Sequence, residues 1–285
     1  MWYRYPRARI TPPSVPPWSP CVQVLRAGVL VVLTVAVLVA AVPLAVGCAR
    51  PTHGELTVSA ALSLKGALTE VARLYESRRP GVTVHLNFGS SGSLARQIEQ
   101  GAPVDVFVAA GSREMDALER GGLIDPATRR DLLSNRIVLV AAAGSGVPVR
   151  GWEDLAGPAV RRLAMGTPET VPCGQYAKEV LEHLGLWEGV RGKLVFAKDV
   201  LQVVSYVKTG NADAGIVFLT DSRDPALRVV AEAPSGSHRP VVYPAAVVRS
   251  SRHARLAREF LSFLAGPEAM AVFSRYGFVV PGEGK

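Results

Sequence analysis

The amino-acid sequence predicts an α/β protein built from two lobes, and three observations carry that expectation. Between Leu56 and Gly122, short apolar runs suited to strands give way three times to runs with apolar residues at helical spacing. A second series of the same kind begins at Arg136. The chain has 285 residues, 48% of them hydrophobic and 20% charged, enough for one large or two ordinary cores and too apolar for a disordered polymer. Alternating β and α units imply mostly parallel sheets covered by helices on both faces.

The first 48 residues stand apart. MWYRYPRARITPPSVPPWSP is Pro-rich and basic, and Arg26 then precedes AGVLVVLTVAVLVAAVPLAVGC, an apolar run without a charge. Ala27 to Gly47 is long enough to cross a membrane, so a retained helix and an export signal are both open readings. The small residues before Cys48 in LAVGC resemble a bacterial lipoprotein signal, although Ala45 stands where Leu is commoner. Cleavage there would leave Cys48 as a lipidated N-terminus that anchors the domain at the outer face of the membrane. The arginines of RAR are not adjacent, which gives a twin-arginine route no support.

Removing the leader changes the chemistry available. Of the three cysteines, Cys21 and Cys48 fall in it, so Cys173 has no disulfide partner. Arg4, Arg7, Arg9 and Arg26 leave as well, taking 32 basic residues to 28 against 24 acidic ones and the net charge from +8 to +4. The remaining basic residues are scattered among acidic ones with no aromatic-laced stripe, which argues against nucleic acid as a partner.

Along the rest of the chain, LTVSAA (Leu56 to Ala61) reads as a strand, and Leu64, Ala67, Leu68, Val71, Leu74 and Tyr75 as one helix face. Val82, Val84, Leu86 and Phe88 alternate as a strand, and a helix starting near Ser91 or Gly92 carries Leu94, Ala95 and Ile98. VDVFVAA is the third strand, followed by the helix REMDALERGG with a glycine stop. In the second series, RIVLVAAAG, RLAMG, KLVFA and ADAGIVF read as strands. WEDLAG, the helix after VPCGQY with Ala177, Val180, Leu181 and Leu184, and DVLQVVSYVKTG with Val200, Val203, Val204 and Val207 read as helices. LRVVAEAP and PAAVVR follow, and ARLAREFLSFLAG and EAMAVFSRYGF close the chain as helices.

Four strand-to-helix junctions share one character: AALSLKG, FGSSGS, VPCGQY and AKDVLQ combine small or uncharged residues at the carboxyl end of a strand. Ligands of open α/β sheets bind at such ends. Each helix start offers unpaired N–H groups and roughly half a positive charge, which suits an anion. For any single junction the plainer reading is that Ser63, Ser91, Ser93 or Asp199 merely caps its helix. Four together in a two-lobed chain point to a cleft.

Catalytic and metal patterns fail by comparison. Gly89-Ser90-Ser91-Gly92-Ser93 lacks the last glycine of a nucleophile elbow, and no Gly-Lys-Ser/Thr ends a phosphate loop. His53, His85, His183, His238 and His253 show no ligand spacing. A serine or cysteine hydrolase using Ser91 or Cys173 remains the alternative class, and no base accompanies either residue in its motif.

SAALSLKGAL, FGSSGSLARQIEQGAPVDVFVAA, TPETVPCGQYAKEVLEHLG, KDV, ADAGIVF and the terminal RYGF together resemble the extracytoplasmic molybdate-binding proteins of ABC importers, over about residues 55 to 280. The resemblance implies a two-lobed type II periplasmic-binding-protein fold with two crossing hinge strands. It divides the chain into a leader at 1–48, a discontinuous lobe I at 49–136 and 241–285, and lobe II at 137–240. It implies no cofactor and no catalysis, but a tetrahedral oxyanion, molybdate or tungstate, held between the lobes and delivered to an ABC permease by an exported monomer. Sulfate is the alternative anion.

Carried over by position, Ser63 and Ser91 offer hydroxyl and amide donors, while Cys173 and Val200 act through main-chain N–H groups. Phe218 stands where the family often has a tyrosine hydroxyl. Losing a donor to a charged oxygen costs about 1.5–3 kcal/mol unless another group such as Thr220 or Ser222 replaces it.

Overall fold

The computed structural model describes residues 54–280. Cys48 and the rest of the leader lie outside the described residues. The first lobe's sheet begins with β1 (Gly54–Ala61), and a single 3-10 turn, Leu62–Leu64, leads into α1 (Lys65–Arg78). β2 (Val82–Gly89) passes directly into α2 (Ser91–Glu99), and β3 (Val106–Val108) is followed by α3 (Ser112–Arg120). β4 (Arg130–Asn135) continues through Arg136 into β5 (Ile137–Ala142), the first strand of the second sheet. There follow β6 (Leu163–Gly166), α4 (Pro172–His183), α5 (Trp187–Val190), β7 (Leu194–Ala197), α6 (Val200–Lys208), β8 (Ala214–Phe218) and β9 (Leu227–Glu232). The chain returns to the first sheet as β10 (Val241–Val247) and ends with α7 (Ala254–Leu264) and α8 (Pro267–Arg275).

The two five-stranded sheets follow one plan, with orders β2-β1-β3-β10-β4 and β7-β6-β8-β5-β9. In each, three strands are parallel and linked by crossover helices: β2, β1 and β3 in one, β7, β6 and β8 in the other. The remaining pairings, β3 with β10, β10 with β4, β8 with β5 and β5 with β9, are antiparallel. The sheets are therefore mixed: in each, one strand at a crossing, β10 or β5, runs against the parallel set, and the edge strand beyond it, β4 or β9, runs with that set again. One crossing is β4 to β5, and the other is residues 233–240 between β9 and β10. The first is tied down where it leaves the sheet: Leu219 N–H donates to the Arg136 carbonyl at 2.9 Å, and Ala233 N–H to that of Ile137 at 2.8 Å.

Helical stripes seal the sheets. Ala67, Leu68, Val71, Ala72 and Tyr75 of α1 are buried, as are Val200, Val203, Val204 and Val207 of α6. Each Leu or Val among them contributes roughly 1.5–3 kcal/mol on burial. α4 starts hard against the end of β6. A Cβ on Gly174 would lie 2.1 Å from the Gly166 carbonyl oxygen, so only glycine allows this approach. WEDLAG forms a 3-10 turn at Glu153–Ala156 and not an α-helix, since it is too short to repeat the α hydrogen bond.

Candidate functional site

The carboxyl ends of the parallel strands face one another across the crossings, and the four junctions meet around one cavity. Its lining includes Ala61, Leu62 and Ser63 after β1, Gly89, Ser90 and Ser91 after β2, Val171, Pro172 and Cys173 before α4, Asp199 and Val200 at α6, and Phe218 at the end of β8. Ala110, after β3, completes it. The cavity is small, with room for a compact guest only a few atoms across.

Each sequence-designated residue acquires a specific place. Ser63 sits in the 3-10 turn with its Oγ 3.2 Å from Tyr243 Oη; it does not cap α1, whose N-cap is Leu64. Ser91 is the first residue of α2, fully buried, and its Oγ accepts the Ala110 N–H at 3.0 Å. The cap of α2 is Ser90, whose Oγ accepts the Ser93 N–H at 3.4 Å. Neither Ser63 nor Ser91 is therefore a helix cap. Asp199 does cap α6, accepting the Gln202 N–H at 2.8 Å, and Val200 opens that helix.

Cys173 occupies the second position of α4 behind Pro172, which brings no N–H of its own. Its thiol points away from a catalytic role: Sγ lies 3.7 Å from the Ile216 carbonyl and the residue is buried. Burial, with the Asp221 carboxyl adding to it, holds the thiol well above its ordinary pKa, so no thiolate forms. Ser91 Oγ is likewise bonded to a backbone amide and not to a base.

Phe218 is 1% exposed and packs its ring against Tyr176 at 6.3 Å and Tyr243 at 5.9 Å between centroids. The sequence suggested Thr220 or Ser222 as a substitute for the missing hydroxyl. Both are committed elsewhere: Thr220 Oγ1 accepts from Asn135 Nδ2 at 2.9 Å, and Ser222 Oγ donates to the Leu219 carbonyl at 2.8 Å. Neither lines the cavity. The ring beside Phe218 that carries a hydroxyl bonded to a lining residue is Tyr243 on β10, whose Oη meets Ser63, and sequence reading missed it because it lies in an apolar strand.

The electrostatics come from dipoles. No Arg, Lys or His is among the described residues lining the cavity, and its one carboxylate, Asp199, is occupied with the α6 cap. The starts of α2, α4 and α6 converge there, each with orphan N–H groups. Behind this wall, in the turn after β8, Asp221 is half-buried as a residue, but its Oδ2 is sealed without a partner. Desolvation raises its pKa to about 7. Among the described residues no His/Cys/Asp/Glu group could hold a metal ion.

The two lobes touch at the mouth. Gly92 N–H donates to the Thr170 carbonyl of the other lobe at 3.1 Å, and a Cβ on Gly92 would lie 2.7 Å from that oxygen. The second glycine of FGSSGS, Gly92, is thus explained by the opposite lobe's backbone. Arg113 reaches the Pro168 carbonyl at 3.3 Å, and Gln175 Nε2 donates to Glu114 Oε1 at 2.8 Å.

Two lobes joined by a double crossing and closed over a small cavity lined by serines and helix starts define a solute-binding protein of the type II periplasmic fold. The chain matches the model of the family described as bacterial extracellular solute-binding protein over residues 56–279, and it belongs to that family. It is similar to the Bacillus subtilis protein YvgL, which carries the provisional description of an ABC transporter substrate-binding lipoprotein, with 43% identity over 224 residues covering 78% of this chain and 85% of that one. The molybdate-binding protein ModA of Escherichia coli is 40% identical over 241 residues, 82% and 92% of the two chains. Among solved structures, the periplasmic molybdate-binding protein of Azotobacter vinelandii superposes with a TM-score of 0.71 at 29% identity, covering 79% of this chain and 99% of that one. The family binds solutes for transport, is not a family of enzymes, and is exported.

Proposed function

We propose that this protein is the substrate-binding component of an ABC importer for molybdate, with tungstate as a second guest. The observation that carries the reading is the meeting of Ser63, Ser91, Cys173, Val200 and Phe218 around one cavity without a cationic side chain. A dianion is stabilised there by hydroxyls and helix-start N–H groups, so no buried counter-charge has to be desolvated. A fully ionised oxyanion only accepts hydrogen bonds, and the cavity offers donors. Hydrogenphosphate carries a proton that wants an acceptor. Sulfate shares the charge and shape of molybdate and differs in size, so cavity dimensions discriminate between them.

Lobe I comprises 49–136 and 241–285, and lobe II 137–240; rotation about the crossings opens and closes the cavity. Closure buries the ion and creates the surface a permease recognises. Relatives similar to this chain include molybdate-binding proteins and one described as a lipoprotein, which supports lipid anchoring at Cys48, at the outer face of the cytoplasmic membrane or in the periplasm; the anchored protein works as a monomer in this reading. The test is titration calorimetry with molybdate, tungstate, sulfate and phosphate. Tight, saturable binding of molybdate and tungstate is expected; binding of sulfate or phosphate alone would refute the molybdate assignment.

A further inference from the structure

We propose that Asn135 and Tyr243 are positioning residues that leave the Ser63 hydroxyl proton free to donate to the bound anion and so favour a fully deprotonated guest. The inference rests on the oxyanion reading above and names residues behind the cavity wall. Asn135 ends β4, at the crossing between lobes. Its Oδ1 accepts the Arg136 N–H at 2.9 Å, which determines the end of the amide that faces the hydroxyls. Its Nδ2 then donates to Thr220 Oγ1 at 2.9 Å and to Tyr243 Oη at 3.1 Å, which uses both amide protons.

An amide nitrogen cannot accept, so Tyr243 Oη is the acceptor and its own proton turns to its other partner, Ser63 Oγ, at 3.2 Å. Ser63 Oγ accepts in turn, and its proton is left facing the cavity that Ser63 lines. Ser91 reaches the same state by a separate route, because its Oγ accepts the Ala110 N–H. Both serine hydroxyls of the first lobe thus keep their proton free for the anion, neither spending it on the group behind. Tyr243 is fully buried and outside the lining, so its hydroxyl reaches the cavity through Ser63, while its ring backs Phe218. Burial also keeps its phenol neutral, with a pKa well above the ordinary value.

The test uses calorimetry on Tyr243→Phe, Ser63→Ala, the double variant and Asn135→Asp, with thermal melts to confirm folding. Tyr243→Phe is expected to weaken molybdate binding about tenfold, and the double variant to bind no worse than Ser63→Ala alone. A purely structural role would leave the affinity intact or make the two losses additive, and either result overturns the proposal.

Asn135→Asp keeps the shape but replaces a donor with an acceptor. Tyr243 then donates to the carboxylate, Ser63 donates to Tyr243, and a lone pair faces the anion. The ratio of phosphate to molybdate at half displacement is expected to fall at least about tenfold. An added charge alone weakens both dianions alike, so an unchanged ratio also overturns the proposal, and this arm decides if Tyr243→Phe fails to fold. Sulfate and tungstate are titrated in parallel. A protein that binds sulfate and not molybdate corrects the ligand and leaves the same coupling test to be read on sulfate, whereas one that binds none of them overturns both proposals.

Discussion

The cavity has two unlike walls: the first lobe contributes side-chain hydroxyls, Ser63 and Ser91, each held by a second group, while the second lobe contributes the helix starts at Cys173 and Val200 under apolar or sulfur side chains. A hydroxyl donates in a chosen direction only if something behind it dictates where its proton goes. A main-chain N–H needs no such support, because helix geometry already aims it. The difference teaches that the two walls should respond differently to substitution, the first to loss of a side chain and the second to displacement of backbone.

The largest effect should come from the first wall. Ser91→Ala removes a donor and leaves the buried Ala110 N–H unpaired, so calorimetry should show molybdate affinity lowered by roughly 10- to 100-fold. Gly92→Val puts a side chain against the Thr170 backbone and keeps the walls apart; a loss of about tenfold is expected, with solution scattering that no longer contracts on adding molybdate.

Behind the second wall, Asp221 has a folded pKa of about 7, above its ordinary 3.8, so the folded protein holds that proton more tightly. Its cost is absent below pH 4, grows as pH rises towards 7 and is complete above it. Asp221→Asn should therefore leave stability at pH 4 unchanged and raise it above pH 7 by about 1–3 kcal/mol, read from denaturant melts. The smallest effect belongs to Cys173→Ala, which keeps the main-chain N–H and should alter molybdate affinity by no more than about twofold. A tenfold loss there would erase the contrast between the walls.

Much of this was legible because helices and strands advertise their periods. The stripes Val200, Val203, Val204, Val207 and Ala67, Leu68, Val71 are buried where spacing places them. β4 was not legible: RDLLSN sets two leucines side by side, and its pairing with β10 depends on residues more than a hundred positions away. The junctions were recognisable as a set, but the role of each serine was not, since Ser90 and Ser91 differ by one position and only the built helix shows which one caps. Tyr243 had no signal at all. Its hydroxyl partners lie 108 and 180 positions away, and nothing local marks a tyrosine in an apolar strand as part of a site.

The central claim is that a dianion sits among neutral donors drawn from both lobes. Crystals grown with molybdate, measured at the molybdenum absorption edge, test it most directly. A single anomalous peak in the cavity bounded by Ser63, Ser91, Cys173 and Val200 is predicted, with its oxygens at hydrogen-bond distance from the two hydroxyls and the helix-start N–H groups. A peak beside a lysine or arginine elsewhere, or none between the lobes, would contradict it.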